Sequence, residues 1–182
     1  MIAVTQKPVA VGNWRKGGGI PRAVTAVTLH VIEGSLSAAD SWFNNPDAEV
    51  SAHFGVGFDG RLHQYVGIHD VAYHAGRVLL PTWVGLVEGV NPNTVTVGIE
   101  HEGNGTEPWP APMIFASAVL SAWLCERFTL QPSPAYFPLH REIFAGKTCP
   151  GPAFNRAHYL DAVSHVRRLF GPHVKTLITG IR

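Results

Sequence analysis

The chain has 182 residues, of which 46% are hydrophobic and 15% charged, and its formal net charge is +1. That length and apolar content allow one domain with a substantial core, whereas the near-neutral charge excludes the basic stripe that nucleic-acid-binding proteins use. We therefore expect no nucleic-acid partner. No stretch approaches the roughly 18 consecutive apolar residues of a membrane span, so we expect no membrane partner either.

We predict that residues 1–22 form an N-terminal arm outside the domain. They contain two prolines and four glycines with little periodicity, which indicates an extended segment. The N-terminus also lacks the basic region and the apolar core of about 7–15 residues that define a secretory signal. We therefore predict synthesis in the cytoplasm, with any action outside the cell depending on release by another agent.

Residues 23–32 are rich in β-branched side chains and carry no acidic or strongly basic residue, which favours a buried strand. Alternation places His30 on the face opposite Leu29. A lone histidine on such a strand is most often a hydrogen-bonded core residue. His30 becomes a metal-ligand candidate only because a partial site exists elsewhere in the chain.

A short helix and a hairpin follow this strand. Between Ser37 and Asp40 the sequence resembles a capping box, and the helical pattern ends before Pro46. Residues 51–66 form two alternating runs joined at an Asp-Gly pair, which predicts a β-hairpin. In its first strand His53 shares a narrow face with two glycines, where it either contacts a ligand or fixes a loop.

The middle of the chain combines a long apolar loop with another strand. Residues 77–93 are irregular but too apolar for disorder, so they either wall a groove or cap the core. Residues 94–103 alternate strictly, which predicts a strand that carries Glu100 at its end. A carboxylate among apolar neighbours has a raised pKa and suits a general base, and an exposed carboxylate at a strand edge is the alternative.

Two helices are predicted in the last part of the chain. Residues 110–128 are apolar around most of the helix circumference, which places Cys125 in the core. A second helix begins with Asn155 as its cap and stops at the Gly-Pro pair that follows it. The predicted domain therefore spans residues 23–172, and residues 173–182 form a tail.

The loop at residues 140–154 carries the densest chemistry. It places an imidazole, an ammonium and a thiol, from His140, Lys147 and Cys149, among glycines and prolines. A neutral imidazole and a thiolate are good zinc ligands, and a catalytic zinc site takes three protein ligands and leaves one position for water. His30 is the candidate for the missing third ligand. Lys147 either favours the nearby thiolate or is a surface charge.

Six short blocks of this sequence occur in the order seen in one enzyme family. They are residues 27–30 (VTLH), 51–54 (SAHF), 59–60 (DG), 73–76 (YHAG), 97–100 (VGIE) and 140–154 (HREIFAGKTCPGPAF). Through these blocks, over roughly residues 23–170, the chain resembles the type 2 N-acetylmuramoyl-L-alanine amidases, a family that includes phage lysins, wall-recycling amidases and animal peptidoglycan recognition proteins. The resemblance implies an α/β fold, a single domain with a central mixed β-sheet flanked by helices. It also implies one zinc in a groove that binds the glycan–peptide junction of peptidoglycan.

The resemblance further implies roles for individual residues. The family's zinc ligands match His30, His140 and Cys149. The carboxylate at Glu100 activates the zinc water, and the lysine at Lys147 stabilises the oxyanion. Substrate contacts are expected from the histidines and the tyrosine of two further blocks, namely His53, Tyr73 and His74.

We therefore predict a monomeric, zinc-dependent amidase that hydrolyses the bond between N-acetylmuramic acid and L-alanine. Cys149 favours a phage endolysin, because many phage lysins carry cysteine where the recycling amidases carry aspartate. The segment after Cys149 is more similar to the recycling amidases, so a cytoplasmic muropeptide-recycling amidase is the alternative within the enzyme class. A zinc-free recognition module that only binds the glycopeptide is the alternative outside that class, and such a module normally lacks the cysteine ligand.

Overall fold

The computed structural model describes residues 1–17 and 23–182, so the last part of the predicted arm, residues 18–22, lies outside the described residues. The strands are β1 (Ile2–Gln6), β2 (Trp14–Arg15), β3 (Ala26–Val31), β4 (Phe54–Val56), β5 (Leu62–Gln64), β6 (Val71–Ala72), β7 (Thr96–His101) and β8 (Ile178–Thr179). The α-helices are α1 (Leu36–Phe43), α2 (Ala111–Phe128), α3 (His140–Ile143) and α4 (Arg156–Phe170). Among the described helices, none combines the length and the apolar character that a membrane span requires.

The strands build one mixed sheet of six strands in the order β3-β7-β4-β5-β1-β8. Strands β3, β7 and β4 run parallel, β4 and β5 form the predicted antiparallel hairpin, and β1 pairs in parallel with both β5 and β8. A separate two-stranded ribbon pairs β2 with β6. Helices α2 and α4 pack against each other and against the sheet. This arrangement confirms the predicted mixed sheet flanked by helices.

Alternation along β3 and β7 separates a core face from a polar face. Leu29 and Ile99 are fully buried in the cluster that α2 and α4 cover, and each such side chain contributes about 1.5–3 kcal/mol when it leaves water. His30 and Glu100 follow them on the opposite face and are partners in the parallel register. The fold thus places these polar side chains on the sheet face away from the two long helices.

Both chain ends contribute strands, which differs from the predicted arm and tail. Val4 of β1 pairs with Leu62 of β5, and Ile178 of β8 pairs with Ile2. Val4 and Ile178 are buried in the main core. The glycines and prolines that suggest an arm begin only at Pro8, after the alternating residues of β1. The sheet therefore includes residues on both sides of the predicted domain.

The helix boundaries agree with prediction at α4 and differ at α1. The side chain of Asn155 caps α4 by accepting a hydrogen bond from the backbone N–H of His158, 3.0 Å away. Helix α1 is capped by Ser35, whose Oγ accepts from the backbone N–H of Ala38 at 3.1 Å. The predicted capping residue, Ser37, therefore lies inside the first helical turn.

The long segment at residues 77–93 caps part of the core. The Trp83 indole is buried and donates a hydrogen bond to the carbonyl oxygen of Ala135, 2.8 Å away. Together with Ile143 and two alanines it forms a separate apolar cluster. A groove opens on the polar face of the sheet, over His30 and Glu100. None of the segment's residues, all of which are described, lines this groove. Many residues of the segment do line a separate surface pocket, so the segment caps part of the core through its tryptophan and also forms the wall of a pocket.

Candidate functional site

The edge of the sheet brings the two candidate histidine ligands together. Leu139 forms a parallel bridge with Leu29, so the residues that follow them, His140 and His30, lie side by side. Backbone N–H groups of β3 donate to carbonyl oxygens of the 136–138 segment, which therefore runs alongside the strand. Two side chains that are 110 positions apart in the sequence thereby meet at one end of the sheet.

Glu142 holds the short helix that presents His140. Its carboxylate accepts a hydrogen bond from the backbone N–H of Leu139 at 2.9 Å. Its two oxygens also accept from Nη1 of Arg156, on α4, at 2.8 and 2.7 Å. Charge-assisted bonds of this kind are stronger than neutral ones and restrain α3 against α4. His140 therefore has a firm support although it begins a loop rich in glycine and proline.

The three candidate ligands converge on one point. Nδ1 of His30 lies 3.1 Å from Nδ1 of His140 and 3.9 Å from Sγ of Cys149. All three ligand atoms lie within 4.8 Å of one another. Zinc bonds of about 2.0–2.3 Å in a tetrahedral site separate the ligand atoms by about 3.3–3.8 Å. Both the chemistry of this donor set and its spacing fit a single zinc ion.

Burial keeps the two imidazoles neutral. It lowers the pKa of His30 well below its ordinary value, and the neighbouring His140 and His74 add to the effect. It also lowers the pKa of His140 to about 4, with a further contribution from the Lys147 ammonium. Neutral imidazole is the form that binds a metal ion. Both side chains are therefore available as ligands near neutral pH.

The Cys149 thiol is buried beside the histidines. The backbone N–H of Val31 donates a hydrogen bond to its Sγ at 3.2 Å. Burial and the Glu100 carboxylate raise the pKa of this thiol above its ordinary value, and the smaller opposing effect of Lys147 does not offset them. Lys147 thus lowers the pKa of the thiol, as predicted, but does not by itself produce a thiolate. A bound metal cation supplies the charge that deprotonates a coordinating thiol.

Glu100 faces the ligand cluster from the neighbouring strand. Its Oε1 lies 3.8 Å from Nδ1 of His30, and its Oε2 is buried with no hydrogen-bond partner among the described residues. Burial, reinforced by the Glu33 carboxylate and opposed by Lys147, raises the pKa of Glu100 to about 8. A carboxyl group with this pKa exchanges protons near neutral pH.

A groove of about 320 Å³ opens over these side chains. All three candidate ligands line it, together with Glu100 and Lys147. Its walls also include Tyr73 and Trp42, and the Trp42 side chain is 52% exposed. Trp42 is absent from the predicted site residues, although the apolar stripe of α1 leaves it on the outer side of the helix. The sequence therefore contained a signal for Trp42, namely a large aromatic residue outside the buried stripe of its helix.

The three predicted substrate contacts occupy different positions. Tyr73 is half-buried and lines the groove, and His74 lines it from a more buried position. His53 is fully buried away from the groove lining. Its Nδ1 accepts a hydrogen bond from the backbone N–H of Gly98 at 3.0 Å, and its Nε2 lies 3.2 Å from the carbonyl oxygen of Asp70. This position favours the loop-fixing role for His53 over contact with a ligand.

His101 supports the site from the core side of the sheet. Its Nδ1 lies 2.9 Å from the carbonyl oxygen of His30 and its Nε2 lies 2.8 Å from Oγ of Ser117, which is 2.8 Å from the Tyr159 hydroxyl. The ring stacks on Trp109, and burial lowers its pKa to about 3. No local pattern singles out His101, because its partners lie on a different strand and on distant helices.

The buried His101 predicts that the fold loses stability in acid. In the unfolded chain its pKa returns to about 6.5, whereas the folded protein takes up this proton only near the lowered pKa of about 3. The unfolded state therefore binds more protons as the pH falls below about 6.5, and the free energy of unfolding decreases by about 1.4 kcal/mol per pH unit for this group. Urea unfolding of the metal-free protein at several pH values measures the decrease.

Two glutamine variants separate this effect from that of the other histidines. His101→Gln removes the titrating ring, so its free energy of unfolding should depend less steeply on pH than that of the wild type. His158→Gln changes an exposed histidine and should keep the wild-type slope. Equal slopes in all three proteins would contradict the assignment to His101.

Comparison with known proteins identifies related chains. A family model described as N-acetylmuramoyl-L-alanine amidase matches residues 20–152. N-acetylmuramoyl-L-alanine amidase A from Achromobacter lyticus is 38% identical over 106 residues, which are 57% of this chain and 52% of that protein. The match therefore spans about half the length of this curated relative.

Solved structures also resemble this chain. A selenomethionine derivative of AmpD has a TM-score of 0.68 and 24% sequence identity, over 87% of this chain and 94% of that chain. A mutant endolysin from Bacillus subtilis has a TM-score of 0.62 and 22% identity, over 90% of this chain and 99% of that chain. At these identities the likeness shows the fold, a mixed sheet with flanking helices.

Proposed function

This chain belongs to the N-acetylmuramoyl-L-alanine amidase family, and from that premise we propose that it is a zinc-dependent enzyme that hydrolyses the amide between N-acetylmuramic acid and L-alanine of peptidoglycan. The observation that carries the proposal is the convergence of His30, His140 and Cys149, whose ligand atoms lie within 4.8 Å of one another. The groove over these side chains gives a substrate access to them.

Glu100 is the proposed general base. Zinc, when bound, supplies a Lewis acid and lowers the pKa of a water molecule from about 15.7 to about 7. Glu100 accepts the proton of the attacking water and passes it to the departing alanine nitrogen, so that the amine leaves in its neutral form. Burial raises the pKa of Glu100 to about 8. A cation bound to the three candidate ligands would lower this pKa and favour the carboxylate that the first proton transfer requires.

Lys147 is the proposed oxyanion stabiliser. It is exposed on the wall of the groove. Its ammonium acts on the pKa of Glu100, His140 and Cys149, which supports a position beside the reacting centre. A cation at this position opposes the negative charge that develops on the carbonyl oxygen of the scissile amide.

We expect Lys147→Ala to lower kcat by about 10²–10³-fold, the usual cost of removing one electrostatic donor to an oxyanion. Lys147→Arg keeps the charge and should retain more activity than the alanine variant. Lys175→Ala changes an exposed lysine away from the groove and is the control. Amine release from a synthetic muramoyl-L-alanine peptide measures kcat, and an unchanged kcat in Lys147→Ala would show that Lys147 is only a surface charge.

The groove walls supply the proposed substrate contacts. Tyr73 stays in this set because it lines the groove with the candidate ligands. Trp42 joins it, since a large aromatic side chain that remains exposed beside a site is a common mark of binding. His53 leaves the set because both of its ring nitrogens contact backbone atoms inside the fold.

For the biological role we propose an endolysin that acts on intact peptidoglycan. Cys149 supports this role, because a cysteine ligand is typical of the phage lysins that the chain resembles. A recycling amidase is the second candidate, and the resemblance of residues 150–154 to the recycling enzymes favours it.

Metal analysis combined with turnover assays tests these proposals. Zinc-containing protein that releases peptides from purified sacculi would support the endolysin. Activity on soluble muropeptides but not on sacculi would support the recycling amidase. A protein that binds muropeptides but neither holds zinc nor cleaves them would overturn the amidase proposal in favour of a recognition module.

A further inference from the structure

We infer that His74 and Thr96 are positioning residues that select which ring nitrogen of His30 binds the metal. The inference rests on the proposed function, because it concerns how the chain prepares His30 for zinc. It gives His74 a role in supporting a metal ligand, whereas the sequence predicts that His74 contacts the substrate.

A row of hydrogen-bonded groups leads from His30 away from the ligand cluster. Nε2 of His30 lies 3.1 Å from Nδ1 of His74, and Nε2 of His74 lies 3.2 Å from Oγ1 of Thr96. Oγ1 of Thr96 in turn lies 2.8 Å from the carbonyl oxygen of Pro92. The three side chains are buried, so bulk water does not weaken these bonds.

The carbonyl group of Pro92 sets the direction of the whole row. A carbonyl oxygen only accepts hydrogen bonds, so the Thr96 hydroxyl donates its one proton to Pro92. The Thr96 oxygen then accepts from Nε2–H of His74, which leaves Nδ1 of His74 as an acceptor. Nε2–H of His30 donates to that acceptor. A neutral His30 therefore carries its lone pair on Nδ1.

That lone pair is on the nitrogen that faces the candidate metal site. Nδ1 of His30 is the atom that approaches Nδ1 of His140 and Sγ of Cys149, whereas Nε2 is the atom that approaches His74. A metal-ligating histidine usually donates its other N–H to a partner that fixes its tautomer and its ring orientation. Here the partner is a second histidine whose own tautomer is set by a threonine. The opposite arrangement would place a proton on the ligand atom of His30.

The surroundings of His74 hold its ring in this position. Oδ1 of Asn93 accepts hydrogen bonds from the backbone N–H groups of His74 and of the next residue, at 3.0 and 2.8 Å. Gly98 of β7 lies against the ring, and a Cβ atom at that position would overlap the imidazole. Asn93 belongs to the 3-10 helix Pro92–Thr94, which ends the long 77–93 segment. This segment therefore reaches the metal site through His74.

Nitrogen NMR of the metal-free wild-type protein tests the assignment. Long-range ¹H–¹⁵N correlation spectra of histidine rings distinguish a protonated from an unprotonated ring nitrogen. We expect His30 and His74 each to be protonated at Nε2 and unprotonated at Nδ1. A His30 ring that is protonated at Nδ1 would overturn the inference, whatever affinity the protein has for zinc.

Two variants of Thr96 test the consequence for zinc binding. Thr96→Val removes the hydroxyl at nearly constant shape, and Thr96→Ser keeps it. We expect Thr96→Val to weaken zinc binding by about 10–100-fold, the usual cost of losing a partner behind a metal ligand, and Thr96→Ser to bind zinc as the wild type does. Competition with a chelator measures the affinities. Equal affinities of Thr96→Val and wild type would contradict the inference.

Failure of the inference and failure of the proposed function give different results. Wild-type protein that binds no zinc would refute the proposed function, while the NMR spectrum would still decide the tautomer of His30. Wild-type protein that binds zinc no more tightly than Thr96→Val would leave the proposed function in place and refute the role of Thr96. If Thr96→Val does not fold, the spectrum of the wild-type protein decides alone.

Discussion

Glu100→Gln is expected to lower kcat for hydrolysis of a muramoyl-L-alanine amide by about 10²–10⁴-fold, the usual contribution of a general acid–base residue. Glutamine fills the same space beside His30 but cannot accept the proton of the attacking water. Glu100 lies next to the candidate ligands, with Oε1 3.8 Å from Nδ1 of His30, but is not one of them. The variant is therefore expected to bind zinc with near wild-type affinity.

Glu102→Gln is the matched control for this variant. Glu102 lies two positions further along the chain, and its oxygens accept hydrogen bonds from the backbone N–H groups of Leu36 and Phe58, at 3.2 and 2.8 Å. Glu102→Gln should lower the free energy of unfolding, because these hydrogen bonds are weakened, and should change kcat little. A near-normal kcat in Glu100→Gln, measured on zinc-loaded protein, would remove Glu100 from the mechanism.

Cys149→Ala is expected to remove both the zinc and the activity. Loss of a coordinating thiolate should weaken zinc binding by more than the about 10–100-fold that loss of a supporting partner costs. The purified variant should therefore contain little zinc and show no turnover above background. A strong chelator should bring the wild type to the same inactive state, and added zinc should restore the wild type but not the variant.

The second cysteine and an aspartate variant provide the controls. Cys125 is a free, buried thiol in the main core, so Cys125→Ala should lower stability and keep the zinc. Cys149→Asp offers a carboxylate, which also binds zinc, and should retain more zinc than Cys149→Ala. Full zinc content and full activity in Cys149→Ala would show that this thiol, like Cys125, is only a core group.

The parts of the fold that depend on local periodicity were predictable from the sequence. The cap at Asn155 acts within one helical turn, and a single sequence carries that information. The alternation of β7 likewise places Ile99 in the core and Glu100 on the opposite face. The first strand, β1, has the same alternation, but the glycines and prolines that follow it directed the prediction towards an arm.

The convergence of the three candidate metal ligands was not predictable from local patterns. His30 and His140 meet because Leu29 bridges Leu139 at the edge of the sheet, and no local period encodes a pairing over that separation. Ten histidines allow many triplets, so the choice of ligands depended on the family resemblance. The position of His74 behind His30 was missed for the same reason, since its partners come from separate strands and from the 3-10 helix before β7.

If one zinc ion binds to His30, His140 and Cys149, X-ray absorption at the zinc edge of the zinc-loaded protein will detect this set of ligands directly. We expect one sulfur at about 2.3 Å and two imidazole nitrogens at about 2.0–2.1 Å from the metal. A coordination shell that contains no sulfur, in protein that hydrolyses the amide, would contradict the assignment of the site.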